Sequence, residues 1–158
     1  MTRRPLSLCG TCDIRYRSGV ITNDGAVGVG LAGFGTVGSG VWNTLARNGG
    51  LITERAGSAV KFEIHQIVVR DPDKPRAASV PTELFTTDWQ SMVEHPLVEI
   101  VVELIGGTEE AFELVAASLG AGKPVVTGNK ALLAERGEEV FALQEGCLLY
   151  TSDAADDP

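Results

Sequence analysis

The chain has 158 residues, enough for one domain with a proper core and too few for a nucleotide-binding domain plus a full substrate domain. Its hydrophobic content of 44% and charged content of 22% are those of a globular protein, and no apolar run approaches the roughly 18 residues of a membrane span. A net charge of −8, from 13 basic and 21 acidic residues, argues against a nucleic-acid partner.

Residues 1–26 carry Arg3, Arg4, Arg15 and Arg17 against Asp13 and Asp24, and they show neither strand nor helix period. They are set outside the fold as a leader, either an organelle presequence or an upstream mis-assigned start. Cys9 and Cys12 form a CxxC there, but no second CxxC and no nearby histidine completes a zinc site. Three cysteines make no disulfide framework, which suits a reducing compartment.

The fold is expected to begin at Val27–Ala32, an apolar run that reads as a buried strand. It leads into Gly33, Gly35 and Gly38 and then into a helical pattern of Val37, Val41 and Leu45, which is the context of a dinucleotide fingerprint. In that reading Gly33 makes the tight turn, Gly35 lets the backbone approach a pyrophosphate, and Gly38 lets the helix pack closely. The amides of the helix start then face the anion. A glycine-rich turn that binds nothing is the alternative.

The helix is expected over Thr36–Asn48, closed by Gly49 and Gly50, with an irregular connection over 51–60. Lys61–Val69 alternates and then turns wholly apolar, as a second strand should. Asp71, Pro72 and Pro75 break it. Thr82–Thr86 reads as a short third strand, and Asp88 as the cap of a short helix through His95, ended by Pro96.

Val98–Ile105 is the next buried strand. Gly106 and Gly107 follow, then Thr108 as a helix cap with Glu109 and Glu110 in the first turn, where the helix dipole favours acids. That helix runs to about Leu119, ending in Gly120 and Gly122. Pro124–Thr127 reads as a strand and Lys130–Glu145 as an amphipathic helix. Residues 147–158, with the stretch CLLYTSDAADD at Cys147–Asp157, break the preceding pattern and resemble the translation of a common transposon-based sequencing adapter. They are expected to be non-native, which places the domain at 27–146 and its natural continuation beyond Gly146.

Strands alternating with helices imply an α/β fold: a Rossmann-like, doubly wound, mainly parallel sheet with helices on both faces. Ligands of such sheets bind beyond the carboxyl ends of the strands. There the chain offers Arg70, whose guanidinium suits the 2′-phosphate of NADP, while the adjacent Asp71 leaves NAD possible. Lys74 and Arg76 lie close behind. Gly106 and Gly107 would let backbone pass near a cofactor, or would merely make a tight turn. Glu103 interrupts an apolar strand and needs a partner, for which a cation such as Lys130 is a candidate. Asn129 can cap a helix starting at Lys130, which puts an ammonium at the helix start, from which it can exchange a proton with an alcohol.

Four stretches, GFGTVGSGV at 33–41, VVRDPDKPR at 68–76, VVELIGG at 101–107 and GKPVVTGNKALLA at 122–134, together resemble the homoserine dehydrogenase family. The resemblance implies a cytoplasmic, usually homodimeric enzyme that interconverts L-homoserine and L-aspartate 4-semialdehyde with NADP or NAD, on the route to threonine and methionine. It implies that Gly33, Phe34, Gly35, Thr36, Val37 and Gly38 bind the pyrophosphate and Arg70 the adenosine phosphate. Gly106, Gly107, Thr108 and Asn129 complete the cofactor site, and Lys130 serves both nicotinamide and substrate. The family's second lysine and acidic residues come from a following catalytic domain that is not in this sequence, so the chain by itself is expected to be inactive. Gly128 stands where the family often has alanine. A different amino-acid or semialdehyde dehydrogenase and a non-enzymatic cofactor-sensing module remain the alternatives, and fusion to an upstream aspartate kinase is a further variant within the family.

Overall fold

The computed structural model describes residues 26–55, 61–74, 80–143 and 149–151. The expectations for the leader with its CxxC, for the connection at 56–60, for Pro75 and Arg76, and for the junction at Gly146 and Cys147 lie outside the described residues.

Six strands form one sheet in the order β3-β2-β1-β4-β5-β6, and every neighbouring pair is parallel. They are β1 (Ala26–Ala32), β2 (Lys61–Val68), β3 (Phe85–Thr86), β4 (Ile100–Glu103), β5 (Val125–Thr127) and β6 (Leu149–Thr151). Four helices connect them: α1 (Thr36–Arg55), α2 (Trp89–Glu94), α3 (Glu109–Gly120) and α4 (Lys130–Ala142). The chain turns outward from β1 in both directions, so β1 lies at the switch point between β2 and β4, the place at which sheets of this kind open a crevice between neighbouring loops.

Alternation along the strands divides the core in two. Leu31 and Ile67 face α1, packed with Trp42, Phe85 and Val102, whereas Ala32, Val68, Val101 and Val125 face Met92, Leu114, Val115 and Leu132 of the other helices. Helices therefore cover both faces, as the strand and helix alternation implied.

Several boundaries differ from the sequence reading. The helix after the glycine turn does not close at Gly49 and Gly50 but continues to Arg55. Glycine ends a helix by turning left-handed, and among the described glycines only Gly33, Gly107 and Gly122 have positive φ. Thr82–Leu84 is a 3-10 turn rather than strand, because the Pro81 carbonyl accepts from Leu84 N at 3.2 Å and only Phe85–Thr86 is left to pair with β2. In β2, Ile64 sits opposite Val29 and Gln66 opposite Gly30, so His65 is an extra residue bulged out of the ladder, which accounts for the lost alternation. At the end of α3 the amide of Lys123 bonds the Ser118 carbonyl and that of Gly122 the Leu119 carbonyl, a Schellman closure with Gly122 at φ +74. Leu149–Thr151, inside the segment expected to be foreign, pairs with β5 as a sixth strand. Such a ladder joins main chain to main chain, so an open parallel edge accepts an extended segment whatever its side chains.

Candidate functional site

The loops that follow β1, β2, β4 and β5 gather at one end of the sheet. The Gly33 amide bonds Val68 O at 2.9 Å, the Leu104 amide bonds Ala32 O at 2.7 Å, and the Gly128 amide bonds Glu103 O at 3.0 Å. The loops after β1, β4 and β5 are thereby pinned to the neighbouring strand before they diverge, as is the one after β2 by the Val69 amide on Thr86 O at 2.9 Å.

The three fingerprint glycines have separate physical reasons. Gly33 has φ +100, and a Cβ there would lie 2.6 Å from the Leu104 carbonyl oxygen. A Cβ on Gly38 would lie 2.1 Å from the Gly33 oxygen, so the first turn of α1 rests directly on the strand-to-helix turn. Gly35 meets nothing within 4 Å and faces open space. Its backbone is bare where a ligand would approach. Thr36 and Val37 are exposed in the first turn of α1, which has no acidic residue to oppose an anion. The Phe34 ring turns away: it packs edge-on against Phe85 at 5.5 Å and joins the α1-side core, which leaves its main chain for the site.

Arg70 is exposed at the end of β2, and its Nη2 donates to Gly106 O at 3.4 Å. Since β2 and β4 flank β1, this contact joins the loops on either side of the switch point. Gly106 and Gly107 are exposed with open space before them, and Gly107 has φ +94. Thr108 begins α3 through its carbonyl, which accepts from Phe112 N at 2.9 Å. Its hydroxyl makes no cap bond, because the residue has helical backbone angles rather than the extended ones that aim a capping side chain.

Asn129 caps α4 as expected, its Oδ1 accepting from Leu132 N at 3.0 Å. It also reaches across to the β4–α3 loop, where its Nδ2 donates to Ile105 O at 3.1 Å and Gly107 O at 2.7 Å. Lys130 follows as the first residue of α4, exposed at the same end of the sheet, its side chain making no hydrogen bond or ion pair among the described residues.

Glu103 does not meet Lys130. It is fully buried, accepts from Ile105 N at 2.9 Å, and accepts a hydrogen bond from the hydroxyl of Thr127, its register neighbour on β5. Burial pushes its carboxyl above the ordinary carboxylate value, while the hydrogen bonds from Thr127 and Ile105 pull the other way. Thr127 was not singled out in the sequence, although a hydroxyl and a carboxylate ending two apolar strands that pair in parallel was the signal available.

The profile described as "Homoserine dehydrogenase, NAD binding domain" matches residues 33–147. The chain belongs to the homoserine dehydrogenase family. The enzyme of Pseudomonas aeruginosa is 45% identical over 116 residues, which is 73% of this chain and 26% of that protein, and that of Corynebacterium glutamicum is 45% identical over 115 residues, 73% of this chain and 25% of that protein. Among solved structures, homoserine dehydrogenase from Thiobacillus denitrificans superposes with a TM-score of 0.70 at 42% identity, over 80% of this chain and 29% of that one. The Staphylococcus aureus enzyme gives 0.72 at 30% identity, over 80% and 32%. The chain thus spans about a quarter of the length of the curated relatives it matches, and the part it spans is a nicotinamide-dinucleotide-binding domain of this family.

Proposed function

We propose that this chain is the cofactor-holding part of an enzyme that interconverts L-homoserine and L-aspartate 4-semialdehyde with NADP, NAD being the lesser cofactor. The observation that carries the reading is the convergence of a bare glycine turn, an exposed arginine and the Asn129–Lys130 helix start on one crevice at the switch point of the sheet.

The residues fit such a cofactor, because space is open in front of Gly35, Gly106 and Gly107, and no acid stands in the first turn of α1. The main-chain amides from Gly35 to Gly38 would hold the pyrophosphate. Arg70 would pair the 2′-phosphate through its guanidinium fork, exchanging a long, exposed bond to Gly106 O for a charge-assisted one. Lys130 would hold the substrate hydroxyl and exchange its proton. The nicotinamide, when bound, supplies the hydride chemistry. A following domain of the whole protein would supply the rest of the substrate pocket and the homodimer contacts, and the whole protein would work in the cytoplasm. Among the described residues no helix is long and apolar enough to cross a membrane.

The test is titration of the 158-residue chain with NADPH and with NADH, followed by incubation with L-homoserine and NADP. The expected outcome is saturable binding, tighter for NADPH, and no reduced cofactor. Binding of neither dinucleotide would overturn the cofactor reading, and turnover by this chain alone would overturn the division of labour.

A further inference from the structure

Four residues close a ring of hydrogen bonds at the β4–β5 side of the crevice. The Thr127 hydroxyl donates to Glu103 and accepts from Asn129 N at 3.0 Å. Asn129 Nδ2 donates to Ile105 O at 3.1 Å, and Ile105 N returns to Glu103 Oε1 at 2.9 Å. Glu103 and Ile105 belong to β4 and its loop, Thr127 and Asn129 to β5 and its loop. The ring therefore fastens the loop carrying Gly106 and Gly107 to the one carrying Asn129 and Lys130.

A valine at position 103 would fill apolar space at far lower cost, since removing a carboxylate from water is expensive unless it is well partnered. What a carboxylate adds is two acceptors on one rigid plane, one aimed along its own strand at Ile105 and one across the ladder at Thr127. The sheet register sets Thr127 beside Glu103, and Ile105 follows two residues along the same chain. Neither the glycine turn after β1 nor Arg70 takes part in the ring. Arg70 leaves the sheet on the β2 side of β1, its guanidinium reaching across to Gly106 O, and the ring lies on the β4 side. A dinucleotide that crosses the switch point with its adenosine phosphate on Arg70 would run its other end toward the ring.

We propose that Glu103 is a positioning residue that, through Thr127, sets the β4–α3 loop and the Asn129–Lys130 helix start as a fixed platform for the nicotinamide half of the cofactor. Glu103 lies beneath the platform and touches neither cofactor nor substrate. The inference rests on the cofactor reading given above and adds to it a buried side chain that acts only through other residues.

Two probes separate its failure from the failure of that reading: NADPH, and the 2′-phosphate of ADP-ribose, which has the adenosine half and pyrophosphate but no nicotinamide. Their affinities are measured on the 158-residue chain and on Glu103→Gln, Thr127→Val and Thr127→Ser, with a thermal melt of each variant. Glu103→Gln keeps the shape but reverses the polarity of one arm of the ring, and Thr127→Val removes the hydroxyl. Both are expected to weaken NADPH on the order of tenfold while the nicotinamide-free probe stays within about twofold. Thr127→Ser keeps the hydroxyl and is expected to restore NADPH affinity. A variant that lost both probes equally, or neither, would overturn the positioning role and leave the cofactor reading standing. So would a wild-type chain that held NADPH no more tightly than the nicotinamide-free probe. If one variant fails to fold, the other decides by the same criterion. A wild-type chain that binds neither probe removes the cofactor reading, and this inference with it.

Discussion

Replacing Gly35, Gly38 and Gly40 in turn by alanine separates binding from folding within six residues of chain. At Gly38 the new Cβ would stand 2.1 Å from the Gly33 oxygen, about 1 Å short of the 3.0 Å below which real Cβ atoms essentially never approach. The obstacle is backbone, so the turn or the helix must shift. Overpacking of that kind costs about 2–3 kcal/mol, against which alanine returns about 1 kcal/mol of helix propensity. A net loss of about 1–2 kcal/mol should lower the melting temperature by about 3–6 °C for a chain of this size. At Gly40 the same change meets nothing within 4 Å and should raise stability by about 0.5–1 kcal/mol. Gly35 also meets nothing within 4 Å, so Gly35→Ala should melt close to the wild type, yet its methyl would stand in the space proposed for the pyrophosphate. NADPH affinity should fall about tenfold or more there while Gly40→Ala binds normally. Thermal melts and NADPH fluorescence titrations on the same samples give both quantities. A Gly38→Ala chain as stable as the wild type, or a Gly35→Ala chain that binds as tightly, would refute the division of roles among the three glycines.

Arg70→Ala removes the one guanidinium that reaches the crevice mouth among the described residues, and should weaken NADPH about tenfold while leaving NADH within about twofold. Parallel titrations that found the wild-type preference intact would take Arg70 out of the site. The buried Glu103 makes a pH prediction whose sign is fixed. Burial raises its folded value, so the native chain holds that proton more tightly than the unfolded chain does. The stability this group contributes is complete below the ordinary carboxylate range and is lost as pH rises through the raised folded value. Denaturant midpoints of wild type relative to Glu103→Gln should therefore fall as pH is increased from the ordinary carboxylate value upward. A difference that stayed flat or climbed with pH would contradict the burial that the structure assigns.

Signals carried by a few adjacent residues were readable without coordinates. Asp88 accepts from the amides of Gln90 and Ser91, and Asn129 from that of Leu132, because a cap is satisfied within three residues of itself. The glycine triplet was legible for the same reason, as was the strand and helix alternation that implied a parallel sheet. The sequence pattern misplaced the end of α1, since whether Gly49 and Gly50 turn left-handed depends on the whole chain around them and not on the glycines alone. It also gave Glu103 the wrong partner, a cation on the next helix instead of a hydroxyl on the next strand.

By itself the sequence determined the Asp88 and Asn129 caps, the glycine turn after β1 and the apolar runs of the strands, because those are short-range matters of steric freedom and hydrogen-bond reach. The tertiary structure alone decided that β4 lies between β1 and β5, that Glu103 sits beside Thr127, and that Arg70 reaches Gly106 across 36 positions of chain. Each of these depends on strand order and register, which arise only when the two apolar faces of the sheet are buried together and buried polar groups such as Glu103 and Thr127 meet across the ladder.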